Sequence, residues 1–345
     1  MKINIANHLI TRRCNLSCEY CKIATSQTDL LRPVEYPKNG FYNKNEKSGE
    51  WWIKLIDRLH KHNSEMFHVI YGGEPLLRLE TLTKIIEFMH KKDINYTIVS
   101  NCTGSEVRDN LQSLIKSVGK LKGFSASVDP YFTEEEDESE STDEKYKTFC
   151  GYSTLKWLIR NDLVEDPVAE IVCDNKTIYN LERTVKILSD AEIWSSINVL
   201  DIAKNNYYDF STILSEEYAV HQSEEVRAIF DRLISNDDLM IHMKDYLLNE
   251  LYNSLPTNVD CGIEKDIHNI TIDSDGKLRL CLRIRGMMTQ QHNALELINK
   301  NGYFADKFED IYESIKDDKF TLCKKCAWAC PLMSKLNDNY KVINH

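Results

Sequence analysis

Apolar residues fall in two alternating rhythms along the first two hundred positions. Residues 3–11 form a short apolar run that reads as a strand entering a cysteine-bearing loop. Trp52, Leu55, Ile56 and Leu59 then recur at helical spacing. A second apolar run, 67–71, stops at Gly72-Gly73, and Leu82, Ile85, Ile86 and Met89 mark a second helix. Strands are expected at 96–99, 124–128, 168–173 and 197–202. Helices are expected around 154–160 and along Ile178, Leu181, Val185 and Leu188.

Strand–helix alternation of this kind predicts parallel strands joined by crossover helices, an α/β class fold. Six units predict an open, partial (β/α)6 barrel over residues 1–204, with chemistry gathered where strands end. Residues 205–256 read as a mostly helical bridge. From 257 to 335 the character changes to a small cysteine-rich hairpin-and-helix domain: 267–272 and 277–281 flank the turn Asp273-Ser274-Asp275-Gly276, and a helical segment and a cysteine cluster follow.

Composition narrows the function classes. The net charge of −11 is concentrated in residues 134–144, which carry eight acids; the rest of the chain stands near −3. That balance disfavours a general nucleic-acid binder. The acidic stretch reads as a solvated loop, or as a cover or docking site for a basic partner. No apolar run reaches the roughly 20 residues that span a bilayer, and residues 1–14 hold no signal-peptide core. A cytoplasmic protein is expected, and eleven cysteines there point to metal or redox chemistry more than to disulfides.

The strongest motif is Arg12-Arg13-Cys14-Asn15-Leu16-Ser17-Cys18-Glu19-Tyr20-Cys21. Three thiolates on one short loop can hold three irons of a cubane cluster and leave the fourth open for a small molecule. Zinc is the alternative, although zinc sites more usually pair two C-x2-C units. Tyr71-Gly72-Gly73-Glu74-Pro75 ends the second strand, offering close backbone approach at the glycines and a carboxylate for an ammonium group. Ser100-Asn101, Ser127 with Asp129, and Asn175 end the third, fourth and fifth strands; each also suits a local turn, and Asn175 a helix cap. Cys102, Cys150 and Cys173 are expected to be small buried apolar groups.

The C-x3-C-x-aromatic-C loop after a first strand, with GGEP after the second, resembles the radical S-adenosylmethionine (radical SAM) superfamily. The resemblance implies a 4Fe-4S cluster on Cys14, Cys18 and Cys21, and S-adenosylmethionine on its open iron. Reductive cleavage of the sulfonium would then yield a 5′-deoxyadenosyl radical. Glu74, with the backbone of Gly72 and Gly73, would contact the methionyl amino group. Tyr20 would lie beside the adenine, and Ser100, Asn101, Ser127, Asp129 and Asn175 would face ribose, carboxylate or nucleoside. Cys261, Cys281 in a G-x4-C step after Gly276, and Cys323, Cys326 and Cys330 resemble the auxiliary-cluster extension known as SPASM, and more closely its shorter Twitch form. One auxiliary cluster is implied, on Cys261, Cys281, Cys323 and Cys326, with Cys330 able to replace one of the late pair; zinc is again the alternative.

Such an enzyme implies a low-potential donor, flavodoxin or ferredoxin, and a peptide, protein or small-metabolite substrate. The chain shows no N-terminal peptide-recognition domain, which weighs against a peptide maturase. Asp201, Tyr207 and Tyr208 are substrate-side candidates. Arg279, Arg283 and Arg285 would serve a nucleoside or nucleic-acid substrate, although alternating arginines also suit a solvated hairpin face. A non-enzymatic electron carrier or zinc scaffold would have no use for GGEP or an open iron.

Overall fold

The computed structural model describes residues 3–16, 18, 45–130, 143–199, 220, 223–242, 244, 269–279 and 288–305. Six parallel strands are laid side by side: β1 Ile5–Thr11, β2 Phe67–Gly72, β3 Tyr96–Ser100, β4 Leu121–Ser127, β5 Val164–Cys173 and β6 Trp194–Val199. The crossovers carry α1 Gly49–His62, α2 Leu79–Lys92, α3 Ser105–Val118, α4 Asp143–Arg160 and α5 Leu181–Asp190. A further helix, α6 Glu224–Ser235, follows β6. The sheet is open, and its α/β architecture is the expected partial barrel.

The other edge of β1 is not left bare. β7 Asn269–Ile272 pairs with it in parallel, and β8 Lys277–Arg279 and β9 Met288–Asn293 continue antiparallel, giving the order β6-β5-β4-β3-β2-β1-β7-β8-β9. The expected hairpin is therefore an extension of the barrel sheet. After the hairpin come β9 and the short α7 Ala294–Leu297, and the rest of the span in which a helical segment and a cysteine cluster are expected lies outside the described residues. Helix α3 was not read from the sequence, although Val107, Leu111, Leu114 and Ile115 form its buried stripe. Strand β5 begins four residues earlier than expected, because Glu165-Asp166-Pro167 hid its start. β6 begins at Trp194, three residues before the expected start, and residues 200–202 lie outside the described residues.

Local chemistry explains the element ends. The Ser48 hydroxyl accepts the Trp51 N–H at the start of α1, and His60, Lys61 and His62 sit at its negative end. Asp93 ends α2 in the left-handed region at φ 55°, its N–H returning to the carbonyls of Met89 and His90. Trp52, Leu55, Ile56 and Leu59 of α1 are fully buried against the outer face of the sheet, together with Ile10 and Ile70.

That layer contains two buried histidines. His8 Nε2 and His68 Nδ1 are 2.8 Å apart on neighbouring strands, with rings stacked at 5.1 Å, and the edge of Trp52 meets His8. Their remaining nitrogens reach no partner among the described residues. Burial pushes both pKa values down, His68 to about 3. The neutral forms therefore favour the fold. Their stabilisation is complete above pH 6.5, where the unfolded rings are also neutral, and is lost as pH falls below it, for His68 toward about 3. Urea unfolding should show stability dropping below pH 6.5 by up to about 1.4 kcal/mol per pH unit for each ring. The double variant His8→Phe, His68→Phe should flatten that slope.

Candidate functional site

The site is built where β1 and β2 end. Gly73 N–H donates to the Thr11 carbonyl at 2.8 Å, and Glu74 N–H to the Arg13 carbonyl at 2.7 Å. The GGEP turn therefore runs directly against the backbone that leads into Cys14. A Cβ on Gly72 would lie 2.5 Å from the Thr11 oxygen, and one on Gly73 2.2 Å from the Arg13 oxygen. These are contacts to main chain, which cannot swing aside, so the two glycines are required by this chain-on-chain approach. Pairing the glycines with a ligand, as the sequence suggests, leaves this requirement out.

Glu74 is fully buried. Its carboxylate accepts from Ser100 Oγ at 3.0 and 3.1 Å, from Asn101 N–H at 2.8 Å and from Leu76 N–H at 3.1 Å. No cationic side chain pairs with it among the described residues. Desolvation outweighs the hydrogen bonds and pushes its pKa up to about 7. A buried carboxylate without a counter-charge is costly, and is relieved by taking up a proton or by pairing with a cation.

Asn101 joins Glu74 to the cysteine loop. Its Nδ2 donates to Asn15 Oδ1 at 2.9 Å and points at Cys14 Sγ from 3.7 Å. Asn15 Nδ2 in turn donates to the Thr103 carbonyl at 2.6 Å, and Thr103 N–H to Asn101 Oδ1 at 2.8 Å. Leu16 N–H also approaches Cys14 Sγ, at 3.4 Å. Two N–H donors aimed at one sulfur suit a thiolate that ligates a metal cluster, where hydrogen bonds to sulfur tune the site. Cys14 and Cys18 are half-buried and in no disulfide; Tyr20 and Cys21 lie outside the described residues.

Ser127 is the last residue of β4, and Asp129 lies two residues beyond it. Asp129 is buried and pairs with the equally buried Lys147 of α4 at 2.5 Å, while Val172 N–H reaches its other oxygen at 3.3 Å. Ser127 is half-buried. Asn175 is half-buried after β5 and caps no helix; the side chain that organises this turn is that of Asp174. The Asp174 carboxylate accepts the N–H groups of Lys176 and Thr177 at 2.9 and 2.7 Å. Cys102 and Cys173 are buried as expected, and Cys150 is half-buried. Cys102 adopts a positive φ of 58° beside Ser100, and burial raises its pKa.

A surrounding network was missed in the sequence. The Glu46 carboxylate accepts from Thr11 Oγ1 at 2.8 Å, Arg12 N–H at 2.9 Å and Arg78 Nη1 at 3.1 Å. Arg12 forks onto the buried Asp273 at 3.1 and 2.5 Å, tying the cysteine loop to the β7–β8 turn. These residues are separated by up to 261 positions, and no local signal links them. Arg279 lies on β8; Cys261, Cys281, Cys323, Cys326, Cys330, Asp201, Tyr207, Tyr208, Arg283 and Arg285 lie outside the described residues.

No family model matches the chain. Over 99 residues it is 26% identical to the radical SAM cyclopropyl synthase TigE of Paramaledivibacter caminithermalis, a stretch that is 27% of this chain and 21% of that protein. The match thus spans about a fifth of the length of this curated relative. The fold superposes on native anSMEcpe with bound AdoMet at a TM-score of 0.52 and 15% identity, covering 93% of this chain and 88% of that one. Over that stretch the sequence is similar to a radical SAM enzyme, and the fold is the partial α/β barrel of these structures.

Two further structures of this fold are similar. A histidine-tagged form of anSMEcpe with bound AdoMet gives a TM-score of 0.53 at 13% identity, over 97% of this chain and 92% of that one. Native anSMEcpe with bound AdoMet and Cp18Cys peptide gives 0.50 at 16% identity, over 94% and 88%. No helix among the described residues is long and apolar enough to cross a membrane.

In the metal-free protein, Glu74 should reveal itself through linkage. Its folded pKa lies above the unfolded value of 4.5, so its ionisation at higher pH costs stability. Wild type should therefore lose ground to Glu74→Gln between about pH 5 and 8, by about 2–3 kcal/mol in urea unfolding.

Proposed function

We propose that this chain is a radical SAM enzyme whose cluster is held by Cys14, Cys18 and Cys21 and whose S-adenosylmethionine site is formed by Glu74, Ser100, Asn101 and the polar ends of β4 and β5. The observation that carries the reading is the uncompensated Glu74 carboxylate, wired through Asn101 to the Cys14 sulfur. The residues present fit the group: Cys14 receives N–H donors, and Glu74 offers a buried negative charge to an ammonium. When bound, the reduced cluster and S-adenosylmethionine would supply a 5′-deoxyadenosyl radical, which takes hydrogen from the substrate.

This chain's own residues do the positioning. Ser100 and the Asn101 N–H fix the orientation of the Glu74 carboxylate, and Asn101 also holds Asn15 so that the loop after Cys14 keeps its course. Glu74 must be ionised to receive the ammonium, and a bound cation supplies the counter-charge that its buried site lacks. Lys147 holds Asp129 at the end of β4, where the resemblance places cofactor contacts.

The substrate in this reading is a peptide, protein or small metabolite. The peptide class is favoured by the superfamily relative with a bound peptide, anSMEcpe, and by the C-terminal cysteines. Those cysteines, Cys261, Cys281, Cys323 and Cys326 with Cys330 in reserve, would hold one auxiliary cluster that accepts or relays the electron of the substrate radical. Flavodoxin or ferredoxin would serve as donor.

Anaerobic reconstitution with iron and sulfide, followed by reduction with S-adenosylmethionine, should release 5′-deoxyadenosine. A fully loaded, reduced protein that releases none contradicts the proposal. Cys14→Ala should abolish the release. Separately, Cys281→Ala should lower the iron content and alter the visible spectrum; an unchanged count and spectrum would reject the auxiliary site.

A further inference from the structure

The face of the sheet turned away from the helices is set by parity. His8, His68, Ile70, Ile98, Ala126, Ala169, Ile171 and Ile197 are buried in the layer shared with the helices. Residues of the opposite parity line the inside of the open barrel. There, Thr97 and Ser125 hydroxyls meet across β3 and β4 at 3.0 Å. One register row further toward the strand ends, Ser127, Glu170 and Ser196 stand abreast on β4, β5 and β6. Among the described strand positions on the C-terminal half of this inner face, Glu170 is the single carboxylate. Its neighbours are hydroxyls, amides and aliphatic groups.

Glu170 is half-buried and carries no cation among the described residues. Asn198 Nδ2 donates to its Oε2 at 3.2 Å, and Ser196 hydrogen-bonds the same carboxylate. Both partners are neutral. They orient the group without balancing its charge, and burial raises its pKa despite them. A partly desolvated carboxylate held in this way is costly to the fold. Elsewhere the chain supplies counter-charges to buried carboxylates: Lys147 for Asp129, Arg12 for Asp273 and Arg78 for Glu46. Among the described residues neither Glu170 nor Glu74 meets one.

We propose that Glu170, oriented by Ser196 and Asn198, anchors a cationic nitrogen of the substrate, an alkylammonium or guanidinium carried on a peptide side chain. This rests on reading the inner face as the substrate cavity of the radical enzyme. Glu170 lies one strand beyond Ser127, toward the β6 side of the open barrel. With neighbouring strands about 4.8 Å apart, a group bound there lies close to a cofactor contacting Ser127. The described strand neighbours of Glu170 on this face, Ser127, Val168, Val172, Ser196 and Asn198, are uncharged, so the charge at Glu170 sets the preference for a cation over an isosteric neutral side chain.

The test uses the full chain, as isolated and after cluster reconstitution, and needs no turnover. Binding of Nα-acetyl-lysine amide, Nα-acetyl-arginine amide and Nα-acetyl-norleucine amide is measured by calorimetry, with n-butylammonium as the free-amine arm. At least one cationic amide should bind about tenfold more tightly than the norleucine amide, and Glu170→Gln should remove that preference. Tight binding by n-butylammonium alone would overturn the peptide assignment. In wild type, the cationic amide should also protect Glu170 from carbodiimide-driven glycinamide coupling, read by peptide mass mapping. That arm requires no folded variant. Equal affinities for charged and neutral amides, a preference that survives in Glu170→Gln, or unprotected Glu170 would each overturn the assignment. Release of 5′-deoxyadenosine is assayed separately, so failure of the radical reading and failure of this anchor are told apart.

Discussion

Everything at the strand ends depends on one backbone contact: the turn at Gly72 and Gly73 lying flat against the chain from Thr11 to Arg13. The two short hydrogen bonds across it leave no room for a side chain on either glycine. Because β1 and β2 are neighbours in parallel register, the contact continues the sheet ladder past the last strand residues. It sets the distance between the cysteine loop and Glu74, and Asn101 then spans what remains. A rigid ladder thereby fixes loops that would otherwise be free to diverge.

Charge is distributed around this contact with a clear division. Asp129, Asp273 and Glu46 each meet a lysine or arginine, and these pairs act as pins. Lys147 fastens α4 to β4, Arg12 fastens the cysteine loop to the β7–β8 turn, and Arg78 fastens the segment before α1 to the turn after β2. Glu74 is held by neutral donors alone among the described residues, and their hydrogen bonds offset only part of the cost of its burial. The same sheet thus carries carboxylates paired with a cation, which hold structure, and carboxylates held by neutral donors among the described residues.

The β7–β9 extension changes how the C-terminal part relates to the rest. Pairing of β7 with β1 makes the later segment continuous with the strand that leads into Cys14. Lys47 N–H donates to the Ser274 carbonyl at 2.8 Å, and Gly276, at φ 82°, lets the turn close beneath Trp51. Movement of the hairpin would be transmitted to Arg12, two residues before the first cysteine.

The sequence by itself determined the parallel α/β class, most of the strand and helix positions, and the two motifs that matter most. Apolar periodicity and cysteine spacing are local properties, and each is written in a window of a few residues. Helix α3 was legible but overlooked, while the start of β5 was obscured by Glu165, Asp166 and Pro167, which a strand prediction disfavours. Tertiary structure alone decided the reason for Gly72 and Gly73, the bridging role of Asn101 and Asn15, and the partners of Asp129 and Asp273. It also decided the placement of Glu170 beside Ser196 and Asn198. Each of these depends on which strands become neighbours and in what register, and hydrogen bonds and desolvation act over a few ångströms of space regardless of separation along the chain.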